Sequence, residues 1–420
     1  MLAKPPGDDA RRAALRLISG LRDGQSLSDQ AAALRRLAPA DQARAARLAA
    51  ETLRHRARAD AVLARFLSRR TAPQVQDLLQ LATVEMLELG GAPHGVVDAA
   101  VNLTRGLGRK GQAAAGMVNA VLRKVARVED WDALPPQRLP DWLRAPVAAT
   151  WGEAATLAIE AAHQAGAPLD LTLKPGAAVE IEGARPLPTG SLRLDGGVQV
   201  SALPGYAEGA WWVQDAAAAL AVRLLEPQPG ERIADLCAAP GGKTLQLAAA
   251  GAEVTAVDIS KARLARVAEN LARCNLSARL VAADALDWQP EGALDAVLLD
   301  APCSATGTIR RHPDLPFLRD GSGIAGLAEL QARLIDRAVG MLPSGGRMVY
   351  ATCSLLPEEG EAQIAAALAR HPDLRIEPPA LPGIEPEWVT PEGGLRLRPD
   401  HWPELGGMDG FFIARLRKAG

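Results

Sequence analysis

The sequence has no apolar run near the ~18 residues that a membrane-spanning helix requires, and its opening stretch, Met1 to Ala10, lacks the apolar segment of a signal peptide. A cytoplasmic protein with no membrane partner is therefore expected. Cysteine is scarce. The four residues Cys237, Cys274, Cys303 and Cys353 all lie in the second half, and none forms a Cys-x-x-Cys pair. That spacing argues against structural zinc or any other metal centre and against a disulfide framework, and it leaves the cysteines to packing or to chemistry.

Glycine-rich phosphate loops are incomplete as well. Gly242-Lys243-Thr244 has the end of a Walker A loop, but Cys237 stands where its first glycine is required. The adjacent pair Gly241-Gly242 does not supply the three glycines of Gly-x-Gly-x-x-Gly. What is present is Asp235-Leu-Cys-Ala-Ala-Pro-Gly-Gly-Lys-Thr244, between a short strand candidate ending in Arg232-Ile233-Ala234 and a helical pattern opening with Leu245. Such a turn leaves amide N–H groups facing open space at a helix start. The next strand candidate, Glu253 to Val257, ends at Asp258, at a distance that suits a carboxylate gripping ribose hydroxyls. Without a pyrophosphate loop, S-adenosylmethionine fits better than a dinucleotide; a plain glycine-rich strand-to-helix turn is the bland alternative.

At 420 residues with 48% hydrophobic content, two or three globular domains are expected. The net charge of −2 conceals an asymmetry: residues 1–130 hold 21 Lys and Arg against 13 Asp and Glu, the remainder 26 against 36. The basic front reads as all helix, with an apolar stripe at Val75, Leu78, Leu79, Ala82 and Met86 and a second at Val62, Leu63, Phe66 and Leu67. Arg44, Arg47, Arg54, Arg58, Arg65 and Arg69 recur at helical spacing, either as a handle for a polyanion or as solvated surface. Residues 131–210 read as a connection, a helix at 142–165 and a small α+β piece with strand-like runs at 169–174 and 192–200. From 211 to 420 strands and helices alternate, which predicts an α/β domain with a mostly parallel sheet covered on both faces.

Within that sheet polar residues gather at strand ends: Asp258, Asp284, Asp300 with Cys303, and Cys353. In open α/β sheets ligands bind outside the carboxyl ends of the strands, so these residues are expected to share one crevice. Methylation at C5 of a pyrimidine requires a thiolate adding at C6 and an acid or hydrogen-bonding partner near N3, followed by removal of the C5 proton. One cysteine would be the nucleophile and Asp300 the charge-stabilising group. Spacing alone does not choose between Cys303 and Cys353, each followed by a serine. Cys237 is read as supporting the loop and Cys274 as packing, as free cysteines generally do. Arg310 and Arg311 are candidate phosphate contacts, His312 a solvated loop residue, and Asp215 a helix cap.

Four ordered motifs carry a resemblance. Asp235 to Thr244, Asp300-Ala-Pro-Cys303-Ser with Gly307-Thr308, Thr352-Cys353-Ser354, and Asp409-Gly-Phe-Phe-Ile-Ala414 resemble the NOL1/NOP2/Sun family of RNA cytosine-5 methyltransferases, and Val118-Asn-Ala-Val-Leu-Arg123 resembles a NusB-like RNA-binding domain. The resemblance implies a Rossmann-like methyltransferase domain at 211–420, a NusB-like bundle at 1–130, an RRM-like piece within 131–210, and a monomer acting on structured RNA, 16S ribosomal RNA. It implies that Cys353 attacks C6 and that Cys303 assists release. By the same resemblance Cys237, Ala238, Ala239, Pro240, Gly241, Gly242 and Lys243 line S-adenosylmethionine, Asp258 holds the ribose, Asp284 lies by the adenine, and Asp300 bridges cofactor and base. Two departures stand out. The family commonly has Glu-Asn-Glu where this chain has Glu359-Gly360-Glu361, and Leu171-Thr-Leu-Lys174 replaces a stretch that usually carries Arg and Asn. The rival readings are a NusB-like RNA-binding or assembly factor with an idle methyltransferase half, and a nicotinamide dehydrogenase.

Overall fold

The computed structural model describes residues 8–420; the expectation drawn from the opening residues, like the first seven residues of the 1–130 assignment, lies outside them. The chain divides into two compact units, one of residues up to Gly166 together with Ile309–Asp320, the other of Ala167–Thr308 and Gly321–Gly420. Residues 131–166 thus join the helical unit.

That first unit holds α1 (Asp8–Gly20), α2 (Ala31–Leu34), α3 (Pro39–Arg54), α4 (Arg56–Ala64), α5 (Pro73–Leu87), α6 (Pro93–Arg105), α7 (Gly108–Val125) and α8 (Asp141–Ala165), the last being two helical segments that meet at Gly152. Pro39, Pro73 and Pro93 open their helices in the first turn, where a missing N–H costs nothing. The predicted α5 stripe from Val75 to Met86 is buried throughout. Val62 and Leu63 are buried on α4, whereas Phe66 and Leu67 follow its end and only flank the core.

The arginines correct one expectation. Arg44 donates to the buried Glu85 at 2.8 Å, Arg54 is buried with its guanidinium on the carbonyls of His163 and Arg310 at 2.8 Å, and Arg65 makes a two-pronged pair with Asp130. Arg58 donates to the Pro135 carbonyl at 3.3 Å, so four of the six arginines have partners within this unit. Arg310, expected near the target, is fully buried in this unit and presents no guanidinium to a phosphate; His312 is exposed, as expected.

The second unit begins with β1 (Leu169–Leu173), β2 (Arg185–Pro186), β3 (Leu192–Leu194) and β4 (Trp211–Val213), an antiparallel sheet in the order β2-β3-β1-β4. No α-helix interrupts residues 167–213, so the RRM-like arrangement is not found. The predicted run 192–200 stops at Leu194. Asp215 caps α9 (Ala216–Leu225), accepting from Ala217 N at 2.9 Å.

Then follow β5 (Arg232–Leu236), α10 (Gly242–Ala249), β6 (Glu253–Asp258), α11 (Lys261–Arg273), β7 (Arg279–Ala282), β8 (Ala296–Asp300), the short α12 (Leu315–Leu318, which belongs to the helical unit), α13 (Ile324–Met341), β9 (Arg347–Thr352), α14 (Glu361–Arg370), β10 (Leu374–Glu377), β11 (Leu395–Leu397) and β12 (Phe411–Lys418). The sheet order is β10-β12-β9-β8-β5-β6-β7, with β11 also on β12. Strands β9, β8, β5, β6 and β7 pair in parallel, while β12 and its partners run antiparallel. The central parallel strands β5, β8 and β9 are buried on both faces, hence runs such as Ala296-Val-Leu-Leu299, whereas the edge strand β7 is not. The chain leaves β5 toward β6 on one side and returns to β8 on the other, and a crevice opens outside the carboxyl ends of strands at such a reversal.

Candidate active site

Five strand ends converge on a cavity of about 380 Å³ whose lining includes Cys237, Ala239, Pro240, Asp258, Asp284, Asp300, Cys303 and Cys353. The expected crevice is thus formed by eight of the residues singled out in the sequence. Ala238, Gly241, Gly242 and Lys243 are not among its walls. Ala238 is buried, and Gly241 turns the chain at φ 100°, where a Cβ would sit 2.8 Å from Val267 of α11. Only glycine satisfies both demands. It stands at the N-cap of α10.

Asp258 is 2% exposed and already bonded: Oδ1 accepts from Ser260 N and from Arg263, both at 2.8 Å, and Oδ2 accepts from Ala239 N at 3.1 Å. The Arg263 side chain is more than half exposed, so it is the one partner free to swing away, and each oxygen keeps lone-pair capacity for a further donor. Asp284 is exposed and fixed through Leu286 N. Beside them Ile259, at 69% exposure the most open large apolar side chain among those recorded, forms part of the wall. Sequence reasoning passed over Ile259 and Arg263; the signal was an apolar residue immediately after a strand-end carboxylate.

Lys243 has a partner that the sequence did not connect to it. Its Nζ donates to Asp300 Oδ2 at 2.7 Å and lies 5.2 Å from the centre of the Phe411 ring. Burial opposes the ammonium, but Asp300 more than offsets that and raises its pKa. Asp235 is fully buried behind it, accepts from Thr244 Oγ1 at 2.6 Å, and is pushed up to about 7 chiefly by burial.

The Sγ atoms of Cys303 and Cys353 lie 3.4 Å apart. The bond to Cys303, together with burial, holds the Cys353 thiol well above its ordinary pKa, with the Lys243 charge acting in the opposite sense. Cys237 is pushed up to about 12, mainly by burial. Cys274, buried at the end of α11, packs against Trp212 and Leu271. At neutral pH Cys353 is therefore a resting thiol. Its alkylation by iodoacetamide, followed by peptide mass spectrometry, is expected to be slow at pH 7 and to rise as pH climbs above 9. In Cys303→Ala the largest cause of the raised pKa is gone, so the profile of Cys353 should move to lower pH. An unchanged profile would contradict the coupling.

Gly360 also has a local explanation. A Cβ there would meet the Arg396 guanidinium at 2.5 Å and Phe412 at 2.8 Å. Arg396, buried on β11, donates to the Ser354 carbonyl and pairs with Glu361 over the Phe412 ring. The loop after Cys353 is thus clamped without an asparagine side chain. Among the described residues no group of His, Cys, Asp and Glu is placed to hold a metal ion, and no helix is long and apolar enough to cross a membrane.

Comparison with known proteins agrees with this geometry. Residues 222–417 match the family described as 16S rRNA methyltransferase RsmB/F, and residues 8–127 match the NusB family. The ribosomal RNA small subunit methyltransferase B of Klebsiella pneumoniae subsp. pneumoniae is 47% identical over 236 residues, 54% of this chain and 51% of that protein, so the matched stretch spans about half the length of this relative. The protein of the same description from Xanthomonas campestris pv. campestris is 36% identical over 440 residues, covering 98% of both chains. The crystal structure of PH0851 superposes with a TM-score of 0.77 at 23% identity over 99% of this chain and 100% of that one, which shows a shared fold.

Proposed function

The chain belongs to the 16S rRNA methyltransferase RsmB/F family, and from that premise we propose that it methylates C5 of a cytosine in 16S ribosomal RNA, using S-adenosylmethionine and a transient bond from Cys353 to the base. The observation that carries this reading is the pair of sulfurs 3.4 Å apart in one cavity with Asp300 and Asp258.

The walls suit the cofactor. Asp258 has lone-pair capacity to accept from ribose hydroxyls, Ile259 offers an apolar face to a flat ring, and Asp284 offers an acceptor to an exocyclic amine. When bound, the cofactor supplies an electrophilic methyl group. Everything else falls to the chain. The target base has to leave its stack to reach the cavity, as bases acted on by such enzymes do. Cys353 Sγ gives up its proton and forms a bond to C6 while the C5=C6 electron pair shifts through the ring toward N3, where a proton passed from Lys243 through Asp300 neutralises the charge. The displaced pair forms the new bond from C5 to the methyl carbon; a base then takes the C5 proton, the C5–H electron pair forms C5=C6, and the C6–S bond breaks with its pair leaving on sulfur. The 3.4 Å contact of Cys303 with that sulfur supports a part for Cys303 in this release. The NusB-family bundle is the further RNA-binding element. Incubation of the protein with unmodified 16S RNA and methyl-labelled cofactor, followed by nucleoside analysis, is expected to give 5-methylcytidine; label in any other nucleoside, or none, would refute the reading.

A further inference from the structure

Each sulfur is followed by a serine, and both serines turn away from the cavity toward one carboxylate. Ser304 and Ser354 are buried, and Glu359 is 0% exposed. Glu359 Oε1 accepts from Ser304 N at 2.8 Å and from Gln331 Nε2 at 3.1 Å, while Oε2 accepts from Ser304 Oγ and from Ser354 Oγ, the latter at 2.6 Å. Its own carbonyl accepts from Tyr350 Oη at 2.8 Å and Thr352 Oγ1 at 3.0 Å. A buried carboxylate is costly unless its lone pairs are filled, and here four neutral donors fill them.

The bridge joins segments that are distant in sequence. Ser304 belongs to the loop after β8, Ser354 to the loop after β9, and Gln331 to α13. Two further bonds link the same loops: Gly307 N donates to the Cys353 carbonyl at 3.0 Å, and Leu355 N donates to Thr306 Oγ1 at 2.9 Å. The two serine hydroxyls also lie 3.2 Å from each other and from Thr306 Oγ1, and the Glu359 carboxylate is the charged acceptor at the centre of this cluster.

We propose that Glu359 is a positioning residue that sets the separation of Cys303 and Cys353, and with it the timing between attack on the base and release of the product. This deepens the function proposed above and rests on it for its catalytic consequence. The geometry also predicts what the site tolerates. The donors on Oε1 are N–H groups, which only donate; those on Oε2 are hydroxyls, which rotate and accept. A glutamine at this position can keep its oxygen on the N–H side and turn its NH₂ toward the two hydroxyls. Alanine cannot; it leaves Ser304 N without its acceptor and Gln331 Nε2 with the Pro302 carbonyl alone.

The test compares Glu359→Gln and Glu359→Ala using two readouts. The first is the rate at which diamide joins Cys303 to Cys353, each thiol giving up a proton and an electron to the N=N bond of the reagent, which becomes a hydrazine. This rate measures sulfur separation and needs neither RNA nor turnover, so it remains decisive if the proposed reaction is wrong. The second is methyl transfer resolved into kcat and KM. Glu359→Ala should slow disulfide formation at least about tenfold and lower kcat about 10²-fold, the scale of a misplacement near 1 Å, with KM for the cofactor within about twofold. Glu359→Gln should restore both rates to near wild type. Should Glu359→Ala fail to fold, Ser304→Ala and Ser354→Ala each remove one strut and should slow the diamide reaction in the same direction. A folded Glu359→Ala, or the pair of serine variants, with wild-type diamide rate and kcat would overturn the proposal.

Discussion

Replacing Cys353 with alanine is expected to abolish methyl transfer, by at least about 10⁴-fold, because the proposed reaction passes through a covalent bond from its sulfur. Replacing Cys303 should have a different effect: the attack and the transfer proceed, release stalls, and protein bound to RNA accumulates. The two variants should thus separate on a denaturing gel. The basis is geometric. The sulfurs are 3.4 Å apart, too close for independent roles, and the effect of Cys303 on the Cys353 thiol makes the latter a resting group that needs its neighbours to become reactive. If Cys353→Ala kept activity while Cys303→Ala lost it without any adduct, the roles would be reversed.

The second large effect concerns Lys243. As a wall of the cofactor site its loss would raise the cofactor Kd; as the buried partner of Asp300, its loss removes the charge that balances that carboxylate in the cavity. Lys243→Met keeps the aliphatic stem and the packing on Phe411. It should lower kcat about 10²–10³-fold, the scale of removing one preorganised electrostatic group, with the cofactor Kd within about threefold. Isothermal titration with the cofactor and single-turnover methylation separate the two outcomes. A large rise in Kd with unchanged kcat would restore the simpler assignment of Lys243 to the cofactor wall.

The strand-end residues were legible in sequence because a parallel sheet places its carboxyl ends together whatever its detailed order, so Asp258, Asp284, Asp300, Cys303 and Cys353 converge as the alternation of elements requires. Side-chain direction was not legible. Gly241 and Lys243 sit in the motif that resembles a cofactor loop, yet one serves helix packing and the other an ion pair with a residue 57 positions away. The arginines of the bundle show the same limit: helical spacing brings Arg44 and Arg65 to defined faces, but whether each meets water or a partner depends on Glu85 and Asp130, which periodicity does not connect to them. The strand-like run after Leu192 broke early because Asp195-Gly196-Gly197 favours a turn over a ladder, and the antiparallel strands β10 to β12 were hidden in what read as continued alternation. Glu359 was visible only as part of a departure at the next position; its partners lie on three other elements.

The most direct test of the account is the location of the covalent bond. Cys303→Ala is incubated with unmodified 16S RNA and cofactor, digested with nuclease and protease, and examined by mass spectrometry for a peptide carrying a methylated cytidine nucleotide. The account predicts that mass on the peptide containing Cys353. A modified peptide containing Cys237 or Cys274, or methylated RNA produced with no adduct at any cysteine, would contradict it.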